Sequence, residues 1–328
     1  MMKRLAFVIL AAALAWSGYW LWGKQSLMAG YQRWFAERRD DGWEAGYAEM
    51  KVRGFPNRHD TTWTDLRILD PESGLGWEAP FFQLFLLSYN RHHAIAAWPR
   101  HQVIVTPDGP LHVTSEQMQA SLVTEGEDHA LTRGTLVADV LNITGTDGAT
   151  TALAQLRLAG TRVDAASYDV ALTAEGLALP RGLNQATGGA LPQTFSEARI
   201  AAQLGFDAPW TLTSAEARPR PTRIAVREAA LEWGPMALRL TGDLEIDGEG
   251  RATGDVHVQA QNWQEMLAVA RASGQVADVL ADGVEATLTL MAGLSGGRRS
   301  LDLTLRLEEG AIWLGPVPVG EAPRFLLR

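Results

Sequence analysis

The segment Gly293-Leu294-Ser295-Gly296-Gly297 has the Gly-x-Ser-x-Gly pattern that carries the nucleophile of many serine hydrolases. Such an elbow needs a strand before the serine and a helix after it, so that the hydroxyl is raised on a sharp turn. Here the residues that follow, 301–308, alternate between apolar and polar side chains, which is typical of a strand. The segment therefore favours a flexible hairpin turn, and hydrolysis by Ser295 is the alternative function.

The chain contains seven histidines, and histidine is a common metal ligand and general base. None stands in a His-Glu-x-x-His pattern or another dense ligand spacing. His92 and His93 are neighbours on a predicted strand, so they point to opposite faces and do not hold one ion together. A site that joins either of them to His101 across a hairpin stays open. Otherwise the sequence predicts no catalytic residue, no metal and no cofactor.

Charge and cysteine content exclude several classes of protein. The 328 residues include 29 Lys and Arg against 38 Asp and Glu, which gives a net charge of −9, and no cysteine. Nucleic-acid binders concentrate positive charge on one face, so this balance argues against that class. Without cysteine the chain forms no disulfide, no thiol nucleophile, no iron–sulfur cluster and no Cys-ligated zinc site.

The amino terminus is predicted to be a transmembrane signal anchor, residues 1–23. Lys3 and Arg4 precede residues 5–23, which carry no charge and reach about 28 Å as a helix, close to the thickness of a bilayer core. The basic start places the amino terminus in the cytoplasm. We therefore expect a single-pass protein of the bacterial inner membrane, with the bulk of the chain in the periplasm. The alternative is a signal peptide cleaved after Ala15, because Ala13-Leu14-Ala15 fits a cleavage site.

Residues 24–42 are predicted to form a juxtamembrane helix. Leu27, Tyr31, Trp34 and Phe35 recur at helical spacing. Such an apolar stripe is expected to lie near the bilayer surface.

From Trp43 onward the apolar period changes to two. Residues 236–246 and 301–308 alternate strictly, which predicts antiparallel strands with one dry and one wet face. The fold class is therefore mainly β: one or two extended, twisted antiparallel sheets of meander type, one packed helix and the amino-terminal transmembrane helix. The expected regions are an amino-terminal β region (43–179), a linker (180–194) and a carboxyl-terminal β region (195–328) that contains a helix at 262–281.

One sequence unit occurs twice. Glu228–Leu238 and Glu309–Val319 share an acidic residue, an alanine two positions on, an aliphatic residue and then Gly-Pro. Glycine permits a backbone bend, and proline cannot donate to a strand ladder. Each copy is therefore predicted to be a strand–bend–strand unit with a strand edge or bulge at Gly-Pro.

Apolar side chains near the carboxyl end are the candidates for a ligand groove. Most of the twelve tryptophans are expected to fill cores, and some would line a groove open to lipid or to an envelope protein. The candidates lie on alternating strands: Trp233, Leu238, Leu240, Leu301, Leu303, Leu305, Leu307 and Trp313.

Several segments together resemble a family of uncharacterised single-pass envelope proteins of alphaproteobacteria, grouped as a domain of unknown function. The chain is also similar in architecture to AsmA-like envelope proteins, in which a β groove holds lipid. The family resemblance implies the architecture and no catalytic residue. Its segments are the basic anchor that ends in Tyr19-Trp20, Arg53-Gly54-Phe55-Pro56-Asn57-Arg58, Trp77-Glu78-Ala79-Pro80, Asp108-Gly109-Pro110-Leu111 and Glu309–Val319.

The expected function is therefore a non-enzymatic envelope module. The anchor, residues 5–23, connects it to the inner membrane, and its groove binds a lipid or a partner protein. The alternative is a hydrolase that acts on envelope glycans or lipids through Ser295 or the group His92, His93 and His101.

Overall fold

The structure is a computed structural model that describes residues 1–178, 192–211, 218–272, 289 and 299–326. Within these residues it is mainly β, with antiparallel strand pairs and two long helices, as the sequence predicts. The helices are α1 (Met2–Asp40) and α2 (Trp263–Ala272). The chain divides into two compact units, which we call unit 1 (residues 1–123 and 143–148) and unit 2 (residues 124–142 and 149–328).

The strands follow one another along the chain, most of them joined by short turns. Their bounds are β1 (Glu44–Gly46), β2 (Glu49–Arg53), β3 (Arg58–Asp70), β4 (Leu75–Leu87), β5 (His93–Ala97), β6 (His101–Val105), β7 (Leu111–Thr114), β8 (Gln117–Glu125), β9 (Ala130–Thr144), β10 (Thr150–Asp164), β11 (Ser167–Ala178), β12 (Thr194–Phe206), β13 (Pro221–Trp233), β14 (Met236–Ile246), β15 (Ala252–Gln261), β16 (Ser300–Glu308), β17 (Ala311–Leu314) and β18 (Val317–Glu321).

Unit 1 combines α1 with a sheet centred on β3 and β4. Strand β3 pairs with β1, β2 and β4, and β4 pairs further along with β5 and β6. The core between α1 and this sheet is aromatic: Trp63 lies 4.9 Å from Tyr31 of α1 and stacks on Phe82 of β4 at 5.8 Å between ring centroids. Trp63 thus fills this core, and Trp43 and Trp77 pack against it, as expected from their size.

Helix α1 is one continuous element, longer than the predicted anchor. Residues 1–15 are exposed, and the first side-chain hydrogen bond from α1 to the sheet comes from Trp16. Farther along, Tyr31 and Phe35 pack on the unit 1 core. The helical stripe in residues 24–40 therefore lies against protein, where its pattern had suggested the bilayer surface. A sheet and a membrane both select such a stripe, so hydrophobic periodicity does not distinguish them.

In unit 2, strands β10 to β18 form a meander. Each strand from β10 to β15 pairs antiparallel with the next one, and β16 continues from β15. The predicted linker, residues 180–194, lies mostly outside the described residues, and its last residue, Thr194, begins β12. Strands β11 and β12 flank it, pair directly and both belong to unit 2.

The strict alternation in the carboxyl-terminal strands is confirmed by their register. Leu240 lies opposite Val258, which lies opposite Leu303, and residues directly opposite share a face. The other face is polar: His257 lies 3.1 Å from the Asp302 carboxylate, and Arg223 forms an ion pair with Asp243. The hydrogen bonds from Arg223 lower the pKa of the Asp243 carboxyl.

The repeated Gly-Pro unit forms two hairpins, which confirms the predicted strand–bend–strand arrangement. Trp233 pairs with Met236 across the turn Gly234-Pro235, and Leu314 pairs with Val317 across Gly315-Pro316. Gly234 and Gly315 have φ angles of +54° and +58°. Two-residue hairpin turns need a positive φ at their first position, which glycine adopts without steric cost.

The predicted helix at 262–281 begins at Trp263, and residues 263–272 are helical. Asn262 has a φ of +55°, and its side-chain amide donates to the carbonyl of Pro235 in the β13–β14 turn. Asn262 thus joins the start of α2 to this hairpin. Residues 273–281 and the Gly293–Gly297 segment with Ser295 lie outside the described residues.

Candidate functional site

Seven of the eight predicted groove residues lie on one face of the sheet, the dry face of strands β13 to β16. Trp233, Leu238 and Leu240 lie on it, with Leu301, Leu303, Leu305 and Leu307 on β16. Leu238 and Leu244 lie near the two ends of this face. They are six residues apart along β14, so the face is about 20 Å long at ~3.4 Å per residue.

Helix α2 covers one end of this face. Trp263, which is 3% exposed, packs with Ala260 and Leu301 on the sheet. On the next turn of α2, Met266 and Leu267 join the same cluster. Leu301 is therefore buried beneath the helix, 6% exposed, and does not line an open surface.

An apolar cleft lies between α2 and strands β12 to β14. Its volume is about 240 Å³. The indole of Trp233 stacks on Phe195 at 4.5 Å and donates from Nε1 to the carbonyl of Pro192 at 2.7 Å, so its orientation is fixed from both sides. The lining residues are Phe195, Leu231, Trp233, Met236, Leu238, Met266 and Val269.

The carboxyl-terminal segment covers the other end of the dry face. Leu307 is buried with Leu244, and Phe325 packs against this cluster. The backbone N–H of Phe325 donates to the carbonyl of Gly250 at 2.8 Å, which holds the segment in place. Between the two covered ends, Leu240, Leu303 and Leu305 are half-buried.

Trp313 lies on the opposite face from the seven other candidates. Glu308 pairs with Ala311 and Leu307 with Ile312 across the turn at Glu309-Gly310. Trp313 consequently lies opposite Arg306, on the polar face. Ile312 and Leu314 take the dry positions that the sequence analysis assigned to Trp313.

The cleft contains residues that sequence reasoning did not place in a site. Phe195 comes from β12, more than thirty residues before β14 along the chain. Met266 stands in the helical stripe already visible in the sequence, and that stripe was the available signal for a contact between α2 and the sheet. Nothing in the local pattern around Phe195 indicates which strand it would meet.

His92 and His93 do not come together with His101 to form a site. His93 Nε2 lies 2.9 Å from the Ser121 hydroxyl, and no carboxylate among the described residues hydrogen-bonds to this histidine. Both histidines lie on strands that pair with β4. When the two registers are continued by one or two residues, His93 lies opposite Leu87 and His101 lies opposite Pro80. These positions of β4 are seven residues apart, or about 23 Å along the strand. A joint site of His92 or His93 with His101 is therefore wrong.

His101 lines a separate groove of unit 1, together with His112 and the ion pair between Arg67 and Glu78. This groove has a volume of about 420 Å³ and is open to solvent on its histidine side, where both rings are exposed. Among the described residues, no three histidine or carboxylate side chains are arranged to hold a metal ion.

Comparison with known families gives a match over most of the chain. A family model described as "Uncharacterized protein conserved in bacteria (DUF2125)" matches residues 20–323, nearly the whole chain. The chain belongs to the DUF2125 family. The resemblance to a domain of unknown function is thus confirmed. Comparisons with curated proteins and with solved structures give no match.

The DUF2125 match begins at Trp20, so it includes most of the part of α1 that packs on the sheet. It also includes the strands of both units. Helix α1 of this DUF2125 chain is long and apolar enough to cross a membrane. The cleft next to α2 also lies within the matched residues. An almost wholly apolar lining of this kind binds by burial of apolar surface and provides no group for acid–base or nucleophilic chemistry.

Proposed function

We propose that this protein is a non-enzymatic module of the bacterial envelope that binds an acyl chain in the cleft between α2 and strands β12 to β14. Helix α1 anchors it as a single-pass protein of the inner membrane, and both units lie in the periplasm. The observation that carries the proposal is the apolar cleft of about 240 Å³ with seven apolar side chains around it.

The size of the cleft suits part of an acyl chain. Its volume of about 240 Å³ equals that of roughly eight water molecules in the liquid. A methylene group occupies about the volume of one water molecule, so the cleft holds a segment of roughly eight methylene groups. At about 0.8 kcal/mol per buried methylene, such a segment gains about 6 kcal/mol before the cost of ordering it. Without that cost the gain corresponds to a dissociation constant of tens of micromolar, and ordering the acyl chain makes the binding weaker than this.

The orientation of the chain follows from charge. Lys3 and Arg4 precede the apolar part of α1, and such residues stay on the cytoplasmic side of the inner membrane. The periplasm is then the compartment of residues 24–328. The same placement gives the cleft access to lipids that leave the outer leaflet of this membrane.

Acyl binding is tested with the full chain reconstituted in phosphatidylcholine vesicles that contain a fatty acid with a diazirine at its tail. Illumination should label peptides that contain Met236 or Met266. The variant Val269→Trp fills the cleft and should remove this labelling, whereas Thr241→Trp on the polar face of β14 should keep it. Labelling confined to α1, or labelling of Met236 and Met266 that Val269→Trp leaves unchanged, would contradict the proposal.

The membrane arrangement is tested separately in intact spheroplasts. The chain has no cysteine, so Glu127→Cys and Met2→Cys each introduce one thiol. A membrane-impermeant maleimide should label residue 127 in intact spheroplasts and residue 2 only after lysis. The intact mass distinguishes an uncleaved anchor from a chain cut after Ala15. Labelling of residue 127 only after lysis would place the body in the cytoplasm.

A further inference from the structure

The end of unit 1 nearest the start of α1 is built around three aromatic residues of the helix. Trp16 Nε1 donates to the carbonyl of Pro56 at 3.1 Å, and Tyr19 donates to the carbonyl of Ser88 at 2.9 Å. Trp20 Nε1 donates to the carbonyl of Arg58 at 2.8 Å. Two connections of the sheet, residues 54–57 and 88–92, therefore lie beside the same two turns of the helix.

The direction of the strands shows that these connections are the amino-terminal end of unit 1 along α1. The start of β3 contacts Trp20, whereas Trp63 farther along β3 contacts Tyr31. Strand β3 thus runs alongside α1 in the same direction, from the two connections toward the turn at residues 71–74. That turn marks the opposite end of the same unit.

The part of α1 that is free of the sheet is too short to cross a bilayer core alone. Residues 2–15 precede the first contact at Trp16 and reach about 21 Å as a helix. The hydrocarbon core is about 30 Å thick. With Lys3 and Arg4 at the inner boundary, the helix covers about 18–20 Å up to Trp16, so Trp16 and the connections bonded to its neighbours lie about 10–12 Å below the outer boundary.

The exposed side chains at this end have the chemistry of a membrane interface. Phe55 is 56% exposed and Tyr89 64% exposed, each on one of the two connections. Aromatic residues of this kind collect at the level of the lipid headgroups. Burial of such a ring in a bilayer removes the cost of its exposure to water.

The charge at this end is opposite to that of the chain. Residues 16–24, 53–60 and 88–93 contain four basic side chains and a single acidic one, Asp60, in a chain of net charge −9. Asp60 is paired with Arg58. The other basic residues are Lys24, Arg53 and Arg91. Basic residues at a membrane surface are attracted by anionic lipid phosphate.

We propose that residues 53–58 and 88–91 form a second membrane contact, in which Phe55 and Tyr89 enter the outer leaflet and Arg53 and Arg91 bind lipid phosphate. The inference rests on the proposed anchoring by α1. It adds that the body of unit 1 is seated in the bilayer surface and is not suspended above it. Because α1 is bonded to this end, the helix and unit 1 enter the membrane as one piece.

The test places a single thiol at each of four positions of the full chain, which lacks cysteine. Leu10→Cys lies in the free part of α1, Phe55→Cys and Tyr89→Cys at the proposed contact, and Glu72→Cys on the opposite turn. Each variant carries an environment-sensitive fluorophore in phosphatidylcholine and phosphatidylglycerol vesicles with lipid-borne quenchers at shallow or deep acyl positions.

We expect deep quenching at residue 10, shallow quenching at residues 55 and 89, and none at residue 72. If residues 55 and 89 are not quenched, like residue 72, while residue 10 is quenched, this inference is overturned and the anchor stands. An unquenched residue 10 overturns the anchor and the inference together. The double variant Arg53→Gln/Arg91→Gln should reduce the shallow quenching in anionic vesicles and leave it unchanged in vesicles of phosphatidylcholine alone.

Discussion

Gly23 is the position at which a single side chain separates α1 from the sheet. A Cβ at Gly23 would lie 3.0 Å from Cε1 of His59 and 3.3 Å from the guanidinium of Arg91. His59 is 1% exposed, stacks on Trp20 at 5.1 Å and donates from Nε2 to the Trp20 carbonyl at 3.2 Å. The ring therefore has little room to move, and Gly23→Leu forces the helix away from it.

The expected cost is that of overpacking, about 1–3 kcal/mol, and about 2 kcal/mol raises the opening equilibrium of the helix roughly 30-fold. The control is Gly18→Leu, because a Cβ at Gly18 meets nothing within 4 Å. Both changes add the same helix propensity, about 1 kcal/mol relative to glycine. The difference between them therefore isolates the contact with His59.

Hydrogen exchange of the full chain in detergent micelles measures this opening. Amides of residues 19–27 and 57–62 should exchange roughly 30-fold faster in Gly23→Leu than in Gly18→Leu, and no faster in Gly18→Leu than in the native chain. Equal exchange in the two variants, at the rate of the native chain or below it, would refute the packing argument. Equal acceleration in both variants would show that the effect comes from the helix itself.

Three further predictions concern stability. Trp233→Ala, at a residue 7% exposed, should destabilise unit 2 by about 3–5 kcal/mol in chemical denaturation, and Ile200→Ala on β12, at a residue 43% exposed, by far less; equal losses would contradict this. Gly254 has a φ of +147°, and a Cβ there would lie 2.2 Å from the Asp243 carbonyl oxygen. Gly254→Ala should therefore lower the melting midpoint by about 2–12 °C, while Gly320→Ala, with nothing within 4 Å, should not; equal midpoints would contradict this. Burial raises the pKa of Tyr31, so its stabilising share is complete below the pKa of the unfolded chain and is lost as the pH rises through the folded value. Tyr31→Phe should then remove part of the loss of stability above about pH 10, and identical alkaline profiles would contradict that assignment.

The strands of unit 2 could be predicted because one face of each is wet. Residues 236–246 alternate strictly, and the observed β14 has the same bounds. Strand β4 could not be assigned from its pattern, because Phe81–Leu87 is apolar except for Gln83 and does not alternate. Most of its side chains are half-buried, so side chains on both faces of this strand have apolar neighbours and the period of two disappears.

The site was predictable only as far as local patterns determine it. The dry leucines of β14 and β16 share a face because their alternation continues across paired strands. Trp313 was misplaced because the alternation restarts after the turn at Glu309-Gly310, and the two-residue length of that turn sets the new phase. Phe195 enters the cleft through the order of strands in the sheet, which local periodicity does not contain.

The position of the first bond between α1 and the sheet has a consequence for processing of the chain. That bond comes from Trp16, and the cleavage motif ends one residue earlier, at Ala15. A cut at this peptide bond would remove the exposed apolar residues 1–15 of α1. It would leave the side-chain hydrogen bonds of Trp16, Tyr19 and Trp20 to the sheet in place. Tethered and cleaved forms of the protein would then share the same packed body, and a single proteolytic event would decide whether α1 spans the membrane or the surface contact alone holds the body there.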